Sequence, residues 1–123
     1  MLIQMLFLER LVDGIGFWVC LVFLIVLGVS SNFVWMDPRN PQVINFLGNI
    51  IVDSLQYDID GVQLDDHFAM PVKFGQNRTA MDHAALVITN MVRSVSPKTI
   101  FSLSPNTVGH SRNNYNVDWI AWF

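Results

Sequence analysis

Apolar and polar positions follow two periods along this chain, and the switches between them mark its elements. Phe33-Val34-Trp35-Met36 is a short apolar run that Asp37-Pro38 stops, which predicts a strand. Asn40 and Pro41 come next, a helix cap followed by a residue suited to the first helical position. Val43, Ile44, Leu47, Ile50, Ile51 and Leu55 then recur at helical spacing, so a helix is expected over 41 to about 56. Asp60-Gly61 is a turn signal, and Val62 to Leu64 alternates apolar and polar positions as a strand would. Pro71 and Gly75 punctuate a loop over 69 to about 78. Met81, Ala84, Ala85, Ile88, Met91, Val92 and Val95 form the buried stripe of a second helix over about 79–95, ended by Pro97. Residues 99–104 read as a further strand, closed by Pro105-Asn106. The Asn-, Ser- and Gly-rich stretch that follows reads as a loop, and residues 117–123 as the opening of a third helix.

Ahead of this pattern no charged residue occurs between Asp13 and Asp37, and residues 17–27 are almost wholly apolar. Three readings compete: a signal peptide cleaved near Val29-Ser30-Ser31, a single membrane anchor, which needs ~20 apolar residues, or a buried strand with its flanks. Glu9 and Asp13 offset Arg10 and the amino terminus, which makes a poor secretory leader. The chain is therefore divided into an apolar segment over 1–32 and a folded unit over 33–123, with possible membrane association through residues 14–29 and an exported or membrane-associated location.

The order strand, helix, strand, helix, strand, helix is that of α/β folds with parallel sheets. Three parallel strands leave two open edges. A closed (β/α)₈ TIM barrel takes ~250 residues. The expectation is a partial barrel of about three βα units, three parallel strands wide, preceded by the apolar segment. No internal repeat or low-complexity tract interrupts it.

Composition narrows the function. The chain has 123 residues, a formal charge of −3, and scattered basic residues without aromatic interleaving, which argues against nucleic acid. Cys20 is the single cysteine, so there is no internal disulfide framework and no cysteine-based zinc site. His67, His83 and His110 lack metal-ligand spacing, and ordinary structural roles suit them; neither a metal nor a cofactor is expected. Asn77-Arg78-Thr79 is a formal glycosylation sequon, relevant only in a eukaryotic secretory pathway.

The chemistry gathers where the central strand ends. Asp65 and Asp66 sit where the chain leaves the sheet, the edge at which parallel α/β folds bind ligands. Adjacent carboxylates are costly to bury unless something uses them, although loop capping or pairing with Arg or Lys is an equal alternative. Strand parity places Val62, Leu64 and Asp66 on one face and Gln63 and Asp65 on the other. With the apolar pair against helices, Gln63 and Asp65 face the barrel axis.

Two blocks here resemble a known family. Trp35-Met36-Asp37-Pro38-Arg39-Asn40-Pro41-Gln42-Val43 resembles the W-L-N/D-P-x-x-P-E-V block of the glycosyl hydrolase-like family 10 domain. Tyr57-Asp58-Ile59-Asp60-Gly61-Val62-Gln63-Leu64-Asp65-Asp66-His67-Phe68 is similar to its Y-D-V-D-G-I-x-x-D-D-Y/H-F strand. Ser102-Leu103-Ser104-Pro105 and Asp118-Trp119 are similar to its next strand and helix start. The resemblance covers about 34–123 and implies a (β/α)₈ barrel and a carbohydrate-active hydrolase. The loop over 74–78 is shorter than in many members, and the later strands are not in this sequence.

Glycoside hydrolysis normally uses two carboxyl groups, ~5–5.5 Å apart in retaining enzymes and ~6.5–9.5 Å apart in inverting ones. Parity argues against Asp65 and Asp66 as that pair. By analogy with the D-G-F-R-x-D strand of α-amylase-like barrels, Asp65 is the expected nucleophile or charge stabiliser, with Asp66 orienting the loop or serving as the acid. Asp37, Gln63, His67, Ser104 and Asn106 are the expected substrate contacts, with carbohydrate as the partner. Trp35 suits sugar stacking; for Trp119 and Trp122 core packing is the stronger expectation. One reading is a barrel-hydrolase fragment, inactive alone for want of a second acid. The alternative is a small membrane-anchored protein that binds or self-associates without catalysis.

Overall fold

The computed structural model describes residues 26–30, 33–57 and 59–122, and builds them from four strands, three helices and two short 3-10 turns. β1 (Val26–Ser30) pairs antiparallel with β2 (Phe33–Met36), in a register that runs from Val26↔Met36 to Ser30↔Phe33. Of the apolar stretch over 14–29, residues 14–25 lie outside the described residues and 26–29 are strand. Among the described residues no helix is long and apolar enough to cross a membrane.

α1 (Pro41–Ser54) starts as its sequence dictates. The Asn40 side-chain oxygen accepts a hydrogen bond from the Gln42 N–H at 2.9 Å, and Pro41 occupies the first turn. α1 buries Val43, Ile44, Gly48 and Ile51. α2 (Arg78–Val95) is capped by Asn77, whose oxygen accepts from the Ala80 N–H at 3.0 Å. At its other end Arg93 donates to the Pro97 and Thr99 carbonyls at 2.9 and 2.6 Å, satisfying acceptors beyond the last turn.

Between the helices in sequence lies β3 (Gly61–Asp65), which pairs in parallel with β4 (Ile100–Ser104). Gln63 stands opposite Ser102, and Asp65 opposite Ser104. The sheet therefore has an apolar face, Val62 and Leu64 with Phe101 and Leu103, and a polar face, Gln63 and Asp65 with Ser102 and Ser104. Val62 and Leu64 are buried in one cluster with Ile44 and Ile51 of α1 and Met81, Ala84, Ile88 and Val92 of α2. Strand parity read this correctly: Gln63 and Asp65 are exposed.

Three expectations are corrected. The parallel sheet is two strands wide, not three, because β2 spends its hydrogen bonds on β1 and does not join β3. The stretch after Pro105-Asn106 is not a loop but α3 (Val108–Tyr115). Its poor helix formers are held by polar ties. Ser111 donates to the Asn106 carbonyl at 3.3 Å, and Arg112 pairs with Asp118 at 2.6 Å. The helix ends on Asn116, left-handed at φ 57°, as a C-terminal cap requires. Beyond it, Trp119–Trp122 is a 3-10 turn where the opening of an α-helix was expected.

Candidate functional site

Three strand ends open onto one cleft of about 470 Å³. β2 contributes Trp35, β3 leads into Asp66 and His67, and β4 leads into Asn106. The other walls are Pro71, Val72 and Lys73 and, from α3, His110, Asn113, Asn114 and Tyr115. This is the carboxyl edge of the sheet, where parallel α/β folds place their ligands.

The two carboxylates meet at the end of β3, Asp66 lining the cleft and Asp65 outside its lining, and the reason lies in the turn. β3 stops at Asp65, and the Phe68 N–H donates back to the Asp65 carbonyl at 3.1 Å. The parity rule holds only within the strand, so it does not carry Asp66 to the opposite face. Instead His67 Nδ1 lies 3.1 Å from Asp66 Oδ1 and 3.5 Å from Asp65 Oδ2. The His67 N–H donates to Asp65 Oδ1 at 2.9 Å. One atom from each of the three side chains lies within 4.8 Å of the others. From the next strand end, the Asn106 amide donates to Asp66 Oδ2, fixing the outer edge of that carboxylate. The side chains of Asp65 and Asp66 are 51% and 40% exposed. Solvated acids already engaged with their neighbours do not define a cation site, and none is assigned.

Asn106 is the hinge pin of this corner. Its carbonyl also accepts from Trp119 Nε1 at 3.1 Å. Trp122 donates from Nε1 to Asp82 at 2.8 Å and meets Phe68 edge-on, with ring centroids 5.9 Å apart. Both tryptophans are packing residues beside the cleft, not walls of it.

The remaining expected contacts fall elsewhere. Asp37 does not line the cleft; Arg39 grips it through Nε at 2.8 Å and Nη2 at 2.8 Å. That guanidinium holds the Asp37 carboxyl below the usual carboxylate range. Gln63 and Ser104 stand on the polar sheet face, away from the cleft lining. Asn77 of the sequon is engaged as the α2 cap, and its N–H donates to Asn116 Oδ1 at 3.0 Å.

The residues that escaped the sequence reading come mainly from the helix it did not foresee. Asn116 is 4% exposed and ties the cleft together. Its amide donates to the Met70 carbonyl at 3.0 Å and the Gly75 carbonyl at 2.9 Å, while its oxygen accepts from Asn77. One side chain thus fastens the end of α3 to the loop that carries Pro71, Val72 and Lys73. An Asn directly after an Asn-Asn-Tyr run was a readable sign of a left-handed cap.

A parallel α/β unit with carboxylates at its strand ends is the broad class that fold and site define. The sequence narrows it: residues 23–85 match the model of the family described as Glycosyl hydrolase-like 10, and the chain belongs to that family. The match opens just ahead of β1, spans Trp35, Asp65, Asp66 and His67, and ends within α2, so Asn106 and α3 lie beyond it. No curated protein matches the chain.

Proposed function

We propose that this chain is a carbohydrate-binding segment of a glycoside-hydrolase-like (β/α)₈ barrel, with β2 through α3 as about three of its βα units. The observation that carries the reading is the convergence of Asp65, Asp66 and His67 at the end of β3, with Asp66 and His67 lining the cleft and Asp65 beside it. Carboxylates accept hydrogen bonds from sugar hydroxyls; Trp35, 5% exposed and part of the core, is not free to stack on a pyranose as the sequence suggested. Membership of the glycosyl hydrolase-like family supports a glycan as the ligand.

In this reading Asp65 is the nucleophile or charge stabiliser, Asp66 the acid, and His67 and Asn106 hold the Asp66 carboxylate in place. Asp37, Gln63 and Ser104 drop back to structural or peripheral roles. Exposure of both acids favours binding without turnover. A general acid on a sugar needs a raised pKa, and a dry pocket is the usual means of raising it. Neither Asp65 nor Asp66 lies in a dry pocket.

The test is calorimetric titration with neutral oligosaccharides beside a reducing-end assay. Binding that Asp66→Asn weakens at least about fivefold, without measurable turnover, is the expected result. Turnover abolished by Asp65→Asn would instead make the chain a working hydrolase. Absence of binding to every glycan would remove the carbohydrate reading.

A further inference from the structure

Helix α3 forms the cleft wall facing the carboxylate corner, and little about it is explained by packing. Ser111 is its one buried side chain. It is instead pinned by Ser111 to Asn106, by Arg112 to Asp118, and by Asn116 to the loop beyond Met70. What these ties hold in place is a neutral hydrogen-bonding surface. His110, Asn113 and Asn114 all line the cleft.

The three are not equivalent. Asn114 Nδ2 reaches His110 Nδ1 at 3.3 Å and donates to the His110 carbonyl at 3.2 Å, an i→i+4 brace on the helix surface. The amide N–H donates, so this contact is a hydrogen bond in the tautomer whose Nδ1 accepts and whose Nε2 carries the proton. The ring also rests 5.3 Å from the Tyr115 ring, which lies 6.3 Å from Trp35 at a 30° tilt. His110 is therefore braced by Asn114 on one side and by the Tyr115 ring on the other, and that brace favours the tautomer with Nε2–H. Asn113 is exposed and makes no hydrogen bond among the described residues, so its carboxamide is open in both donor and acceptor senses.

We propose that α3 is the recognition wall of the cleft: His110 Nε2–H and the Asn113 carboxamide contact the bound sugar chain, and Asn114 positions His110. The proposal rests on the carbohydrate reading and adds to it the residues that select the ligand. A neutral wall over a row of rings fits an uncharged, hydroxyl-rich oligosaccharide. An anionic ligand would call for more than the one lysine, Lys73, that lines this cleft beside Asp66.

The experiment is titration calorimetry of the full chain with a panel of neutral hexasaccharides (cello-, xylo-, manno- and chitohexaose). The variants are His110→Ala, Asn113→Ala, Asn114→Ala and the His110→Ala/Asn114→Ala double. His110→Ala and Asn113→Ala should each weaken binding about five- to tenfold and change the ranking of the panel, with the melting temperature unmoved because both side chains are exposed. Asn114→Ala should weaken binding alone and add nothing in the His110→Ala background. Imidazole ¹⁵N spectra should show His110 losing its favoured tautomer in Asn114→Ala. If these variants bind like the parent while Asp66→Asn binds less well, the wall assignment is wrong and the carbohydrate reading stands. If the parent binds no member of the panel, both fall.

Discussion

At Gly61 the two strands of the parallel sheet begin so close that a side chain does not fit. A Cβ there would sit 2.6 Å from the Ile100 carbonyl oxygen, and backbone in a paired strand cannot swing away as a flexible side chain would. Gly61→Ala should therefore destabilise the chain by about 1–3 kcal/mol, read as a lower denaturant midpoint at unchanged slope. Asp37 makes a different, pH-dependent contribution. Its pKa is depressed by Arg39, so the stability it lends is fully present above the ordinary carboxylate value of 3.8 and is lost as pH falls through the lowered one. Thermal melts should show Asp37→Asn less stable than the parent near neutrality, with the gap closing in strong acid. A gap that stays constant with pH would mean the guanidinium grip contributes nothing. Both residues were readable in part. Asp60-Gly61 signalled a turn and Asp37-Pro38 a strand stop, but which neighbour each would meet depends on pairing across the fold.

Among the elements, those with a strong apolar period were legible and the one without it was not. α1, α2, β3 and β4 fall within a residue or two of their expected bounds, because burial of Val43, Ile51, Met81 and Ile88 fixes their faces. Ile88 is fully buried between α2 and the sheet, and Ile88→Ala should cost about 2–5 kcal/mol by equilibrium unfolding. α3 lacks such a stripe. It is held by polar ties, from Ser111 to Asn106 and Arg112 to Asp118 nearby and through Asn116 to residues some forty positions away, and no apolar period reports them. Asn116 concentrates that dependence. Asn116→Gly keeps the left-handed backbone but leaves the Met70 and Gly75 carbonyls unpaired; Asn116→Ala adds the backbone strain. The alanine variant should be the less stable by about 1 kcal/mol. In both, the Asn77 amide should exchange its hydrogen faster. Equal stability with unchanged exchange would show that the clamp is not what holds α3 to the loop. The β1–β2 hairpin was hidden for another reason: a long apolar run fits a strand, a leader and an anchor alike.

Across the molecule, helices cover the apolar face of the β3–β4 sheet, and its strand ends, with that of β2, deliver Trp35, Asp66, His67 and Asn106 to a single cleft. The neighbourhood of the site was legible because Asp-Asp at a strand end is a local signal. Its geometry was not, because alternation stops where the strand stops, and the turn to Phe68 brings Asp66 back beside Asp65. The central claim is that this corner binds a glycan. The most direct test is an amide and indole ¹H–¹⁵N spectrum of the full chain, titrated with neutral oligosaccharides. Glycan binding at this corner should produce concentration-dependent shifts at Asp66, His67, Asn106 and the Trp35 indole, continuing onto His110 and Asn113. A spectrum that does not move, or that moves only on the outer faces of α1 and α2, would contradict it.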